Sequence, residues 1–184
     1  MAIKIWTNKV DIDSDHTEGK VRDPSLLQGL KLAGGFPVDG LWPKVVIDVT
    51  SDYKPADSFL SGPMLIVNHK LAALLCEFVS KEEIELLPVE VIYQGEPYKE
   101  YYFLNVLVIC DALDRRNSEF TELDGMIDSI DRVAFNEEKA KDKRLFLLDS
   151  IEWLLCVSDE LVSRIESIGF SGIAFKSEAD WRPF

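Results

Sequence analysis

Residues 145–177 read LFLLDSIEWLLCVSDELVSRIESIGFSGIAFKS, and this is the most informative stretch of the chain. An apolar run ends at a small polar residue, an amphipathic stretch with helical spacing follows, and a short apolar run closes the unit. Residues 65–93, LIVNHKLAALLCEFVSKEEIELLPVEVIY, follow the same plan. The chain is therefore predicted to contain two similar strand-helix-strand units, either a remote duplication or two copies of a common motif. Two copies are too few for a solenoid.

The helix inside each unit has a defined start. Asn68 and Ser158 each precede a helical pattern, and their side-chain oxygens can accept a hydrogen bond from a free N–H of the first turn. Gly169 is placed to end the second helix, because glycine readily adopts the left-handed conformation of a helix C-terminus. The first helix carries one apolar stripe at positions i, i+3, i+4 and i+7: Leu71, Leu74, Leu75 and Phe78.

The other regular patterns favour strands. Short β-branched or apolar runs predict strands at 3–6, 45–49 and 130–135. Turn residues predict a hairpin of 89–93 with 98–110 and another of 145–148 with 153–157. Residues 101–110 are apolar on both faces, as in a central buried strand. The fold class is therefore predicted to be α+β, a mostly antiparallel sheet with a few packed helices.

Several weaker patterns complete the prediction. Residues 25–32 are expected to form two helical turns. Ser80 and Glu83 have the spacing of a capping box, which predicts a second short helix that stops before Pro88. Residues 114–125 and 136–143 are polar and are expected to be loops. We expect one continuous globular unit, with an N-terminal strand and loop region (1–54) packed on a main α+β domain (55–184).

The charge balance restricts the partners. Asp and Glu outnumber Lys and Arg by 33 to 20, which gives a formal net charge of −13. Such a field repels nucleic acid and anionic membranes and attracts basic proteins at long range. Solubility alone can also account for the acidity. We therefore expect no nucleic-acid or membrane partner, and a basic protein partner if the charge has a function.

Cysteine usage and the N-terminus predict a cytoplasmic protein. Cys76, Cys110 and Cys156 all lie in apolar patterns, which predicts small buried residues in a reducing compartment rather than a disulfide framework. The N-terminal residues lack an uninterrupted apolar core and a cleavage site, so no signal peptide is expected. The longest apolar stretch, 101–110, is about half of the roughly 20 residues that a membrane helix requires.

No metal site is predicted. Asp11, Asp13 and Asp15 resemble the start of a calcium loop, but His16 occupies the sixth position, where glycine is needed, and Arg22 the twelfth, where a bidentate glutamate is needed. The chain has two histidines and no Cys-x-x-Cys pair, so a structural zinc site is not expected either.

No catalytic or cofactor-binding set is predicted. Ser158 follows a strand and opens a helix, like a nucleophile elbow, but the glycines that flank such a serine are missing and a helix cap explains the residue. The Gly34-Gly35 pair is not followed by the Lys and Ser or Thr of a phosphate loop. Arg115 and Arg116 are surrounded by acids, which favours an ion-pair role.

The order of short motifs resembles a bacterial immunity-protein family, the eleventh in the classification of polymorphic toxin systems and formerly a domain of unknown function. The motifs lie between residues 55 and 176, about two-thirds of the chain, and their order and spacing carry the resemblance. They are residues 59–62, 65–68, 89–91, 102–107, 111–114, 145–148, 157–161 and 172–175.

The resemblance implies a protein that is made beside a secreted or contact-delivered toxin and protects the producer by binding it. It supplies no catalytic residues. Asn105 and Asp111 match motif positions, and we interpret both as structural, Asn105 as a polar group satisfied within the sheet and Asp111 as a strand-end cap or turn residue.

Together these observations favour a cytoplasmic, non-enzymatic immunity protein that binds and neutralises a cognate toxin. A small enzyme with an unrecognised site and a general acidic interaction module are the alternatives. An acidic segment and apparently exposed aromatic residues are the candidate partner-binding positions: Glu119, Glu122, Asp124, Trp181 and Phe184, with Trp42 as a further aromatic anchor.

Overall fold

A computed structural model describes residues 2–9, 17–32 and 34–182. The elements in chain order are β1 (Ile3–Asn8), β2 (Gly19–Val21), a 3-10 turn (Pro24–Leu27), β3 (Val45–Val49), β4 (Ser58–Ser61), β5 (Met64–Asn68), α1 (His69–Phe78), β6 (Ile84–Tyr93), β7 (Glu96–Val106), β8 (Ile109–Cys110), β9 (Glu119–Leu123), β10 (Met126–Arg132), β11 (Leu145–Leu148), β12 (Ile151–Ser158), α2 (Asp159–Ile168) and β13 (Ile173–Lys176).

The strands form two larger sheets and one separate hairpin. The six-stranded sheet has the order β2-β3-β6-β7-β5-β4, and the five-stranded sheet has the order β13-β1-β12-β11-β8. Most neighbours are antiparallel, while β3 with β6 and β8 with β11 are parallel. The predicted α+β class, a mostly antiparallel arrangement with a few packed helices, is confirmed.

The six-stranded sheet curls so that its two edge strands approach each other. A Cβ atom added at Gly19 in β2 would lie 2.6 Å from the Phe59 ring in β4, so glycine permits this close approach. The concave face encloses a core that includes Ile47, Met64 and Ile66, all at 0% exposure. A second core joins this sheet to the helices and to one face of the five-stranded sheet, with Leu71, Leu161 and Val157 among its residues.

The two strand-helix-strand units have the same topology. β5 and β6 both pair antiparallel with β7, and β12 and β13 both pair antiparallel with β1. In each unit the strands that flank the helix in sequence are therefore parallel to each other, with a third strand inserted between them. This is the split β-α-β arrangement, and it confirms the predicted similarity. The N-terminal strand β1 belongs to the second unit. The proposed boundary at residue 54 stays a prediction.

Both predicted caps are confirmed. The Asn68 side chain accepts a hydrogen bond from Leu71 N at 3.0 Å, and the Ser158 hydroxyl accepts one from Leu161 N at 3.4 Å. Gly169 ends α2 with a φ of 76°, a left-handed conformation that favours glycine. The predicted hairpin turn at Gln94 and Gly95 also forms, with φ values of 52° and 85°, as a type I′ turn requires.

The helix predicted after Ser80 is wrong. Ser80 N donates to Glu83 Oε2 at 3.2 Å, but the chain then enters β6, which continues through Pro88. The strand tolerates proline because its pairing with β3 starts only at Val89. A backbone N–H at position 88 would therefore have no strand partner on the side that faces β3. On that side the carbonyl of Pro88 accepts a hydrogen bond from Trp42 Nε1 at 2.8 Å.

Other local predictions need correction. Residues 25–32 form only the 3-10 turn Pro24–Leu27. The central buried strand ends at Val106, and Ile109–Cys110 belongs to the other sheet. The region predicted as a loop at 114–125 contains β9, and the strand predicted at 130–135 spans Met126–Arg132 instead. Cys76 is exposed, contrary to prediction, whereas Cys110 and Cys156 are buried.

Candidate partner-binding surface

Strands β9 and β10 form a hairpin that is hydrogen-bonded to neither larger sheet. The turn between them consists of Asp124 and Gly125, with φ values of 52° and 80°. Both values lie in the left-handed region, and the Asp-Gly sequence is strongly preferred in such two-residue hairpin loops. The pairing shifts register twice further along the strands, between Ile127 and Ser129 and between Ile130 and Arg132.

One face of the hairpin is packed on the body of the protein. Ile130 is buried, and Phe120 and Ile127 are partly buried against the core under the other face of the five-stranded sheet. Arg115 strengthens this attachment, because its guanidinium lies 5.4 Å from the centre of the Phe120 ring and donates to Glu122 at 2.7 Å. An arginine that stacks on an aromatic ring and also pairs with a carboxylate orients a surface element as well as stabilising it.

Three of the predicted partner-binding residues lie on this hairpin. Glu119 forms an ion pair with Arg132 at 3.0 Å, and Glu122 forms one with Arg115 at 2.7 Å. Asp124 occupies the turn. The fold therefore brings Glu119, Glu122 and Asp124 onto one exposed element, while their role in binding stays a prediction.

The two aromatic residues predicted near the C-terminus differ in outcome. The expectation that Trp181 is exposed is wrong, because only 2% of it is accessible and it packs in the same core as Ile5 and Phe146. A turn stabilises this position, with Trp181 N donating to Ser177 O at 3.0 Å. Trp181 is therefore no surface anchor in this fold. Phe184 lies outside the described residues.

Trp42 is half-buried rather than fully exposed. Its ring centroid lies 5.9 Å from that of Phe103, and its indole nitrogen is occupied by the Pro88 carbonyl. Both contacts give Trp42 a structural role at the end of the six-stranded sheet.

Sequence reasoning missed the exposed apolar side chains of the hairpin. Leu123 is 63% exposed and Met126 is 70% exposed, and the two are paired across the turn. The Asp-Gly sequence at 124–125 lies between two apolar residues and is a signal for a tight hairpin turn. This signal could have identified Leu123 and Met126, although the polar composition of residues 114–125 predicts a loop.

The model of the immunity protein family Imm11 matches residues 8–180. The chain belongs to the Imm11 immunity protein family. No curated protein matches the chain at a significant level.

The motif residues of this Imm11 protein have structural partners. Asn105 is buried, and its amide donates to Phe36 O and to Glu85 Oε2, both at 2.9 Å. The predicted structural role of Asn105 is confirmed. Asp111 follows β8 and pairs with Lys139 at 2.6 Å, so its contact is an ion pair at the strand end.

The titratable groups of the Imm11 chain with shifted pKa values are explained by packing and local pairs. Burial raises the pKa of the Cys156 and Cys110 thiols, and it raises that of Tyr101, whose hydroxyl donates to Ala56 O at 3.0 Å. The Arg22 guanidinium lowers the pKa of Asp48 through a hydrogen bond. Asn117 does the same for Asp114.

The described residues of the Imm11 chain form no metal site and no membrane-spanning helix. Among the described residues, no three His, Cys, Asp or Glu side chains are grouped as a metal site would require. The segment with Asp11, Asp13, Asp15 and His16 lies outside those residues. None of the described helices combines the length and apolarity needed to cross a membrane.

Two recesses lie on the described part of the surface. One of about 390 Å³ lies between β2 and β4 and is bordered by Lys9 and Thr17, the two residues that flank the undescribed segment 10–16. Another, of about 410 Å³, lies at the base of the hairpin and mixes acidic and basic side chains, including Asp114, Arg116 and Lys139. Both recesses are open to solvent, whereas a typical small-molecule site encloses most of its ligand.

Proposed function

We propose that this protein is a cytoplasmic immunity protein that binds its cognate toxin directly and neutralises it without catalysis. The match of the Imm11 family model over residues 8–180 carries the proposal. The producer of a toxin is protected as long as the inhibitor binds the folded toxin and blocks the surface that the toxin needs.

The burial of the Ser158 hydroxyl and of two cysteine thiols supports inhibition by binding. Ser158 is fully buried, and its hydroxyl caps α2, so a substrate has no access to it in this fold. The buried thiols of Cys110 and Cys156 have raised pKa values, which disfavours the thiolate that a nucleophile requires.

The cysteines and the charge support the remaining parts of the proposal. All three cysteines are free, as is usual in a reducing compartment. The net charge of −13 favours a basic toxin, such as one that acts on nucleic acid, because opposite charges increase the rate of encounter.

The decisive experiment measures the stoichiometry of neutralisation. The toxin encoded by the neighbouring gene is held at a fixed concentration well above the dissociation constant, and its remaining activity is measured as this protein is added. Inhibition by binding consumes one inhibitor for each toxin, so activity should fall linearly to zero near a ratio of one to one. The pair should also be recovered together in a pull-down.

The alternatives predict different results. Full protection at a small fraction of the toxin concentration would overturn inhibition by binding and favour an enzyme that modifies the toxin or its target. Failure both to bind and to protect would overturn the immunity function and favour a general acidic interaction module.

A further inference from the structure

The tip of the β9–β10 hairpin exposes two large apolar side chains that are not packed in any of the cores. Leu123 and Met126 are paired directly on either side of the turn and are mostly exposed. Side chains alternate between the faces of a strand, and Phe120 faces the body. Leu123, three residues further on, therefore lies on the outward face, away from the core.

Carboxylates without an ion-pair partner lie in the turn and along β10. Residues 119–132 contain five acidic side chains and one basic one. Glu119 and Glu122 are paired with arginines, whereas Asp124, Asp128 and Asp131 have no ion-pair partner among the described residues. The hairpin thus combines an apolar pair at its tip with negative charges in the turn and along β10 that no cation among the described residues neutralises.

The hairpin is already held in place before any partner arrives. Its inner face is packed on the core, Arg115 contacts both Phe120 and Glu122, and the hydroxyls of Thr121 and Ser129 lie 2.8 Å apart across the strands. A two-stranded hairpin alone is marginally stable in water, so these contacts matter. A surface that is ordered in advance loses less conformational entropy on binding.

We infer that the tip of the β9–β10 hairpin is the surface that docks the toxin. Leu123 and Met126 enter an apolar recess of the toxin, and Asp124, Asp128 and Asp131 face a rim rich in Lys and Arg. This inference rests on the proposed immunity function. It defines the binding patch of the toxin as a basic surface around an apolar depression.

The charge favours a toxin over a second copy of this chain. Two copies, each with a net charge of −13, would bring like charges together if their tips met, and such contacts are unfavourable. A basic surface on the toxin would instead neutralise these carboxylates.

The first test replaces the apolar pair. Leu123→Thr with Met126→Thr keeps residues that suit a strand and removes the apolar contact. The matched control is Leu41→Thr with Leu60→Thr, which removes two exposed leucines elsewhere on the surface. We expect the hairpin variant to bind the purified toxin about tenfold or more weakly, mainly through faster dissociation, and the control to bind like the wild type.

The second test removes the charges. Asp124→Asn, Asp128→Asn and Asp131→Asn are combined, since asparagine also tolerates the positive φ at position 124. The control, Glu77→Gln with Glu82→Gln and Glu166→Gln, removes the same net charge from other exposed positions. We expect the hairpin variant to associate several-fold more slowly than this control at low salt, and the two rates to converge at about 1 M salt, where the Debye length is about 3 Å.

The outcomes separate this inference from the function on which it rests. If both hairpin variants bind the toxin with the same affinity and kinetics as the wild-type protein, the proposed docking surface is overturned and the immunity function is left intact. If the wild-type protein does not bind the toxin, both the docking surface and the immunity function are overturned. Equal melting temperatures of the variants and their controls exclude unfolding as the cause of weaker binding.

Discussion

At the scale of single residues, Ser158 shows how a buried hydroxyl at a strand-helix junction acts as a cap. It accepts from Leu161 N at the start of α2 and is fully buried. Ser158→Ala should therefore lower the free energy of unfolding by about 1 kcal/mol and leave neutralisation intact at a permissive temperature. Urea unfolding measures the first quantity and toxin titration the second.

The control for Ser158 lies in the same helix. Ser163 is exposed, and its hydroxyl donates to Asp159 O at 2.9 Å. Ser163→Ala should change the free energy of unfolding little, because alanine has a high helix propensity. If Ser158→Ala abolished neutralisation with stability unchanged, the hydroxyl would have a chemical role instead.

Asp57 connects the two strand-helix-strand units. Its carboxylate accepts hydrogen bonds from the Asn68 amide, the residue that caps α1, and from Ser171 N and Ser171 Oγ at 2.8 and 2.9 Å. Ser171 lies just after α2. One carboxylate therefore fixes the helix start of the first unit against the loop of the second.

Loss of this junction should be costly. Asp57→Ala leaves three donors without their acceptor, and hydrogen bonds to charged groups contribute about 1.5–3 kcal/mol. We expect a loss of about 2–3 kcal/mol in the free energy of unfolding, measured by urea denaturation. Asp52→Ala removes an exposed carboxylate from the same connection and should change stability by less than about 0.5 kcal/mol. Equal effects of the two substitutions would contradict the role of the junction.

At the scale of elements, the β9–β10 hairpin depends on Arg115. This side chain contacts Phe120, Glu122 and Ser150, so it joins the hairpin to the turn between β11 and β12. Arg115→Gln should speed hydrogen exchange at the β9 and β10 amides several-fold. Global stability should fall by less than about 1 kcal/mol, because exposed ion pairs contribute little.

A matched ion pair elsewhere provides the control for Arg115. Arg22 forms an exposed pair with Asp48 at 2.6 Å. Arg22→Gln should leave exchange in the hairpin unchanged. Exchange by mass spectrometry, resolved to peptides covering 115–132, distinguishes the two variants. Unchanged hairpin exchange in Arg115→Gln would mean that the apolar face alone holds the element.

At the scale of the whole molecule, the buried thiols predict a loss of stability at alkaline pH. Burial raises the pKa of Cys156 and of Cys110 in the folded protein. Above about pH 8.5 the unfolded chain releases these protons while the folded chain retains them, so stability falls as pH rises. Each such proton contributes a slope of up to about 1.4 kcal/mol per pH unit.

Cysteine variants test this slope. Urea unfolding of Cys156→Ala between pH 7 and pH 10.5 should show a shallower decline than the wild type, because one of the protons no longer contributes. Cys76→Ala, which removes an exposed thiol, is the control. Identical slopes in the wild type and Cys156→Ala would show that this thiol does not determine the alkaline limit.

Features that depend on neighbouring residues could be predicted from the amino-acid sequence. The caps at Asn68 and Ser158, the turn at Gln94 and Gly95 and the apolar stripe of α1 follow from contacts within a few residues. The similarity of the two units was visible for the same reason, since each contains its own strand, cap and helix. The net charge of −13, on which the proposal of a basic partner rests, follows from composition alone.

Features that depend on distant segments of the chain could be assigned only from the three-dimensional fold. Residues 84–88 form a strand because β7 pairs with them, although their local pattern favours a helix. Trp181 is buried because it joins a core whose other members, such as Ile5 and Phe146, are far away in the chain. Leu123 and Met126 remain exposed because the hairpin packs on the body by its other face. Long-range pairing and burial outweigh local propensity, so these positions, including the proposed docking surface, required the fold.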